Sequence, residues 1–192
     1  MKNKLFVLLL LIIFVFSYDV YAGEKIKVTL DSCVDGDTAN FIINKKVKKV
    51  RFIGIDTPES VKKDSKVEPY GKAASDYTCK KLKNAKKIEI EYDPKSDKKD
   101  KYDRVLAWVY VDSKLFQKEL VEKGYAEVKY LYDNYLYADE LKKSEAKAKN
   151  KKLRIWSGKK QEEDVNEKIM NSIDSFFDKI KRKIAKFIKS VL

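Results

Sequence analysis

Apolar and polar residues alternate along much of this chain, in short runs broken by turn residues. Ile26, Val28 and Leu30 share one face of a strand over Lys25 to Cys33. Asp35-Gly36-Asp37 reads as a turn, after which a strand resumes from Ala39 to Ile43. Asn44-Lys45-Lys46 forms a hairpin connection to a third strand, Val47 to Ile55. The polar, proline-flanked stretch from Thr57 to Pro69 is expected to be a surface loop. Helical spacing then sets in from Tyr70 to Ala85, with Ala73, Ala74, Tyr77, Thr78 and Leu82 on a shared face. Alternation returns at Lys87 to Tyr92 and at Val105 to Val111, separated by a charged loop, Asp93 to Asp103. A short helix over Lys114 to Lys123 stops at Gly124, and a third helix fits Ala138 to Lys151.

Three consecutive strands with short turns suggest an antiparallel meander or a small barrel. With two further strands and interleaved helices, the pattern matches an α+β fold: a five-stranded OB-fold barrel (Greek-key, oligonucleotide-binding type) with three helices. The two ends differ in kind. Lys2 and Lys4 precede the apolar run Leu5 to Phe16, and Val20-Tyr21-Ala22 has the small-residue pattern of a cleavage site. Residues 1–22 are therefore expected to be a signal peptide cleaved after Ala22. The alternative, a retained anchor, is disfavoured because the run falls short of the ~20 residues that span a bilayer. The globular domain is expected over 23–157, followed by a polar linker over 158–164. Over 165–192, Ile169, Ile173, Phe176, Ile180, Ile184, Phe187 and Val191 recur every three or four residues among lysines, the pattern of a basic amphipathic helix. Such a helix suits a membrane or cell-envelope surface, or else docks on the barrel or self-associates.

Charge narrows the class of partner. The chain carries a formal net charge of +13, which favours polyanions such as nucleic acid or an anionic membrane, or else a merely solubilising surface. It contains no histidine, which excludes histidine triads and histidine-ligated zinc and leaves carboxylates, Arg, Lys and Tyr for catalysis. Cys33 and Cys79 are the only two cysteines. An exported protein permits a disulfide between them, but their pairing depends on a separation the sequence does not give.

The sharpest local feature is Val50-Arg51-Phe52-Ile53-Gly54-Ile55-Asp56-Thr57-Pro58-Glu59. It sets an arginine inside an apolar run that ends in two carboxylates, and an unpaired buried charge is costly. With Asp37 just upstream, hard oxygen ligands and a fixed guanidinium are in place to hold a divalent cation against a phosphate. Asp37 and Asp56 are candidate ligands, and Glu59 is a candidate to orient or deprotonate water. Arg51 and Arg104 can meet the charge that grows on a phosphodiester during in-line displacement. Tyr102, Tyr130 and Tyr132 are candidates for stacking on bases or holding phosphates, and Lys101 for pairing with a phosphate.

At these residues the sequence resembles the thermonuclease (staphylococcal nuclease) family. The resemblance is carried by Asp35-Gly36-Asp37-Thr38, by Arg51 through Asp56-Thr57-Pro58-Glu59, by Tyr70-Gly71 and by Asp100-Lys101-Tyr102-Asp103-Arg104. Val128 to Tyr132, Lys143 to Ala146 and Ile155 to Ser157 follow in order, so the likeness runs from about Lys25 to Ser157. It implies a calcium-dependent endonuclease, a hydrolase of DNA and RNA, with Ca2+ held by Asp37, Asp56 and the Thr57 carbonyl. Arg51, Glu59 and Arg104 would be catalytic, leaving 3′-phosphate ends, and Lys101, Tyr102, Tyr130 and Tyr132 would contact the nucleotide. The expected protein is secreted or bound to the cell envelope, monomeric, and in possible contact with a membrane surface through 165–192. The competing reading is a catalytically inactive nucleic-acid-binding module on the same barrel. One departure stands out: the family has glycine where Asp103 stands, so this carboxylate could draw Arg104 away, restrict its turn, or point to solvent.

Overall fold

The computed structural model describes residues 23–60 and 68–158, together with individual helical residues between 169 and 183. Strands β1 (Lys25–Asp35), β2 (Thr38–Ile43) and β3 (Lys46–Phe52) form the expected antiparallel meander. Short β4 (Ile55–Asp56) is followed by helix α1 (Gly71–Lys83), then β5 (Ile88–Glu91) and β6 (Val105–Val111). β7 (Lys114–Leu115), α2 (Phe116–Glu122), β8 (Glu127–Val128) and α3 (Ala138–Asn150) complete the domain, ending in a 3-10 turn at Arg154–Trp156.

Closure comes from one pairing. β3 runs parallel to β6, in the register Val50↔Val105, Arg51↔Leu106 and Phe52↔Ala107. β6 pairs antiparallel with β5, and β5 with β1, so β1-β2-β3-β6-β5 returns to β1 as a closed five-stranded barrel. With its three helices this is the OB-fold arrangement that the alternation predicts. Closure leaves none of the five barrel strands with two open edges.

The barrel interior is filled by apolar side chains from alternate strand positions. Phe41 and Phe52 stack with centroids 6.5 Å apart, and Phe116 of α2 meets Phe52 edge-on at 6.0 Å. Leu120 and Leu141 carry α2 and α3 onto the same core. Two expectations need adjustment. The third strand does not run unbroken to Ile55, because Gly54 has φ +79° and turns the chain. Its Cα also faces Trp108, Leu131 and Leu141, and an added Cβ would lie 3.0 Å from the Trp108 ring. The segment from 114 begins as a hairpin strand rather than a helix, because Asp112 and Ser113 both adopt positive φ and fold β7 back onto β6.

Polar groups pin the periphery. Buried Glu91 accepts from the Tyr110 and Tyr137 hydroxyls at 2.6 and 2.8 Å. Burial, joined by the bond to Glu91, pushes the Tyr137 hydroxyl up to about 12, although the Tyr110 hydroxyl pulls the other way. Asp93, the first residue of the charged loop, is itself buried, accepting from Trp108 Nε1 at 2.9 Å and the Leu136 N–H at 2.8 Å. It thereby ties the segment before α3 onto the end of β5.

Cys33 of β1 and Cys79 of α1 form a disulfide, with Cα atoms 5.5 Å apart. The link spans 46 residues of sequence, for which chain-entropy reasoning gives a stabilisation of about 4 kcal/mol. Cys33→Ser/Cys79→Ser is therefore expected to lower the urea unfolding free energy by up to that amount, read against the oxidised parent. A shift under about 1 kcal/mol would mean that the reduced chain is already restrained at this point.

No helix among the described residues is long and apolar enough to cross a membrane. The expected signal segment, 1–22, lies outside the described residues. Of the expected tail helix, the described residues are helical, with Ile169, Met170, Ile173 and Phe176 exposed, and the rest of 158–192 beyond Gly158 lies outside them.

Candidate active site

The site is built where the β1–β2 turn, the β3–β4 bend and the segment after β8 meet. Alternation along β3 turns Val50 and Phe52 into the barrel and Arg51 to the opposite face, where the bend covers it. Arg51 Nη1 donates to the carbonyls of Phe52 and Ile55, both at 2.8 Å, so the guanidinium fastens the bend that carries Asp56. Its Nη2 lies 2.8 Å from Asp56 Oδ1 and 3.0 Å from Asp37 Oδ2. Three hydrogen bonds and an ion pair thus commit both Nη groups of this buried side chain to protein oxygens.

Asp37 is held equally firmly. Its Oδ2 accepts from the Thr57 N–H at 3.0 Å, its Oδ1 from the Thr38 hydroxyl at 2.9 Å, and its carbonyl from the Phe52 N–H at 2.8 Å. Burial raises its carboxyl above the ordinary range, although Arg51 and the Thr57 N–H pull the other way. The turn is fastened from behind by the Thr78 hydroxyl of α1, which donates to the Gly36 carbonyl at 2.6 Å.

Glu59 is positioned through its backbone. Its N–H donates to Glu68 Oε2 at 3.1 Å, and its carbonyl accepts from the Glu68 N–H at 3.2 Å. Gly71, the first residue of α1, packs so closely beneath it that a Cβ there would fall 2.3 Å from the Glu59 carbonyl oxygen. The Tyr70-Gly71 pair therefore has a physical role that spacing alone did not disclose. Glu59, Asp56 and Thr57 line one side of an open cleft of about 420 Å³, with Ile155 and Trp156 among the residues of its wall.

The candidate nucleotide contacts fall into two groups. Tyr130 lies beside Arg51, its ring centroid 5.9 Å from the guanidinium carbon, and Tyr132 follows at 6.5 Å from Tyr130. Both rings are exposed, as stacking on a base requires. Arg104, Lys101 and Tyr102 form the second group, in the loop entering β6. Arg104 Nε donates to Asp100 Oδ2 at 2.6 Å, and its guanidinium sits 5.5 Å from the Tyr102 ring. Both Nη groups of Arg104 lack a protein hydrogen-bond partner among the described residues, which leaves them for an anion. Burial pushes the Asp100 carboxyl up, but its bonds from Arg104 and the Tyr102 N–H bring it below the usual range.

Asp103 does not draw Arg104 away. Its side chain is 80% exposed and pairs with Lys99 at 2.5 Å, while the backbone takes φ +63°. That left-handed conformation accounts for a glycine at this position in the resemblance, and aspartate is among the residues that tolerate it. Asp103→Gly is expected to leave the unfolding midpoint nearly unchanged and Arg104 on Asp100. A denaturation curve and a rate comparison check this, and a large change in rate would show that the Asp103 carboxylate acts on Arg104.

Residue patterns did not single out Lys129. Its Nζ lies 2.9 Å from Asp56 Oδ2 and 3.0 Å from Glu127 Oε1. These carboxylates, Asp56 foremost, hold its ammonium above the ordinary lysine range. No local signal marks it: Lys129 follows β8, whose pairing with β4 (Ile55↔Val128, Asp56↔Glu127) is non-local.

Asp37 and Asp56 both face this corner, each paired with Arg51 Nη2. Among the described residues no group of three or more His, Cys, Asp and Glu is arranged to hold a metal. A metal here would rest on Asp37 and Asp56, supplemented by carbonyl and water oxygens, a hard-oxygen set that fits calcium or magnesium. Thr57 Oγ1, buried in this corner without a hydrogen-bond partner among the described residues, adds a further oxygen to it.

With a closed OB-fold barrel and an arginine–carboxylate cluster at the mouth of its β3–β4 bend, the comparisons with known proteins agree. The family model for staphylococcal nuclease homologues matches residues 49–158, and the chain belongs to that family. It is 49% identical over 135 residues to the SPbeta prophage-derived endonuclease YokF of Bacillus subtilis, covering 70% of this chain and 45% of that protein. It is 47% identical over 135 residues to endonuclease YncB of the same organism, covering 70% of this chain and 63% of that protein. A thermonuclease of Staphylococcus intermedius is 37% identical over 123 residues, with 64% of this chain and 71% of the relative covered. The chain thus spans about half to two thirds of the length of the Bacillus relatives.

Proposed function

We propose that this chain is a calcium-dependent endonuclease that hydrolyses phosphodiester bonds of DNA and RNA. The observation that carries this reading is the single guanidinium of Arg51, fixed between Asp37 and Asp56 beside a cleft into which Glu59 is delivered. Calcium on Asp37, Asp56 and the Thr57 carbonyl would polarise a phosphate oxygen and offset its charge. Glu59 takes a proton from the attacking water, which adds to phosphorus in line with the departing 5′-oxygen and leaves a 3′-phosphate end. Arg51, through its Nε–H, and Arg104, through its Nη groups, meet the charge that grows on the non-bridging oxygens. Tyr130 and Tyr132 stack on bases, while Lys101 and Tyr102 hold the flanking phosphate.

The disulfide favours an oxidising compartment, which supports export after cleavage at Ala22. Exposed Ile169, Met170, Ile173 and Phe176 in the helical tail support a membrane-surface contact by 165–192, with the barrel itself monomeric.

The test is hydrolysis of single-stranded DNA and RNA by residues 23–192, with calcium and with a chelator. Calcium-dependent cleavage supports the reading. Binding of nucleic acid without cleavage at any calcium level would replace it with that of a binding module.

A further inference from the structure

We infer that Lys129 is an exchangeable counter-ion of the site: it neutralises Asp56 while no divalent cation is bound and transfers to a nucleic-acid phosphate when one binds. The inference rests on the cation site and substrate class proposed above and adds a residue that neither assigns.

Both oxygens of Asp56 are occupied by protein cations, Oδ1 by Arg51 Nη2 at 2.8 Å and Oδ2 by Lys129 Nζ at 2.9 Å. Asp37, Asp56 and Glu127 bring three carboxylates to this cluster, against the two cations Arg51 and Lys129. A divalent cation entering it brings two more positive charges beside those two and needs an Asp56 oxygen. One of the protein cations must give way, because like charges a few ångströms apart repel.

Exposure and bonding decide which one. The Arg51 side chain is 10% exposed and is fixed by two backbone carbonyls as well as the aspartates. The Lys129 side chain is 45% exposed and, among the described residues, makes its ion pairs with Asp56 and Glu127, with no bond to a backbone carbonyl. Its ammonium ends a flexible four-carbon stem, whereas its backbone is anchored by the N–H bond to the Gly54 carbonyl at 3.1 Å. Lys129 can therefore swing without disturbing the bend that carries Asp56.

The place it swings into is also defined. Lys129 lines the same cleft as Glu59, and its Nζ lies 5.4 Å from the exposed ring of Tyr130. A strand stacked on that ring brings a phosphate within reach of the released ammonium. The phosphodiester supplies the negative charge that Asp56 has just surrendered. Asp56, Glu59, Glu68 and Glu127 make the rest of this wall acidic, so a positive charge here changes how a polyanion is received.

The experiment uses residues 23–192 with Lys129→Met, which keeps the stem and removes the charge. Calcium binding without nucleic acid is measured by titration calorimetry. Binding of a short single-stranded oligodeoxynucleotide is then measured against salt concentration, in a Glu59→Gln background that prevents cleavage. Lys129→Met is expected to bind calcium several-fold more tightly, on the order of fivefold, since a competing ammonium is gone. With calcium present, the slope of log K against log salt is expected to shrink by about 0.7, the signature of one lost phosphate contact. Without calcium the slopes of the two proteins coincide. Equal calcium affinity of parent and variant, or equal slopes with calcium present, overturns the inference while leaving the proposed site intact. A parent that binds no calcium overturns both, and this is seen before any Lys129 variant is compared.

Discussion

Replacing Arg51 by lysine is expected to lower the rate of phosphodiester cleavage by about 10²- to 10³-fold, the usual effect of removing a preorganised donor from a developing anion. A lysine ammonium has three donors on one nitrogen and cannot span the Phe52 and Ile55 carbonyls and both aspartates at once. Arg51→Ala should also weaken the fold, by about 3 kcal/mol, because it strands buried Asp37 and frees the bend after β3. The two variants separate the roles: the lysine variant reports chiefly on rate, the alanine variant on rate and unfolding midpoint together. Single-turnover cleavage and urea denaturation check both. A lysine variant that cleaves at the parental rate would reduce Arg51 to a structural clamp.

The second large effect is expected at Glu59. Glu59→Gln keeps the size of the side chain and removes its basicity, so cleavage should fall by about 10²- to 10⁴-fold. Fold stability should change little, since the backbone bonds to Glu68 and the close packing of Gly71 remain. Oligonucleotide affinity should hold within a few-fold, placing the loss in kcat rather than in KM. If affinity and rate fall together, Glu59 orders the cleft instead of handling the proton. Read beside the Arg51 pair, this result distinguishes charge stabilisation from proton transfer.

Both residues were legible before any fold was known, and for related reasons. Arg51 interrupts an apolar run, and Asp56 and Glu59 close it, so the local sequence already shows a charge with nowhere to go but a partner. The strands, too, were legible in outline, because alternation is a property of neighbours along the chain. The misread details lie where backbone conformation overrides side-chain pattern. Gly54 ends β3 early, and the positive φ of Asp112 and Ser113 makes a hairpin where helical spacing begins.

Other features were open to no local argument. Asp103 beside Arg104 invited three readings, and only its conformation and its bond to Lys99 select among them. The pairing of Cys33 with Cys79 depends on β1 and α1 coming together across 46 residues. Lys129 looked like one lysine among many until β8 paired with β4 and brought it onto Asp56.

The sequence by itself determined the strand and helix order, the carboxylates and arginines available for chemistry, and the family to which they point. These reside in residue type and short spacing, which act through nearest neighbours. Only the tertiary structure decided which charges neutralise which, because the parallel β3–β6 pairing and the β4–β8 bridge join segments far apart in the chain. Electrostatic partnership falls off with distance in space, and a barrel's closure, not the order of its residues, sets that distance.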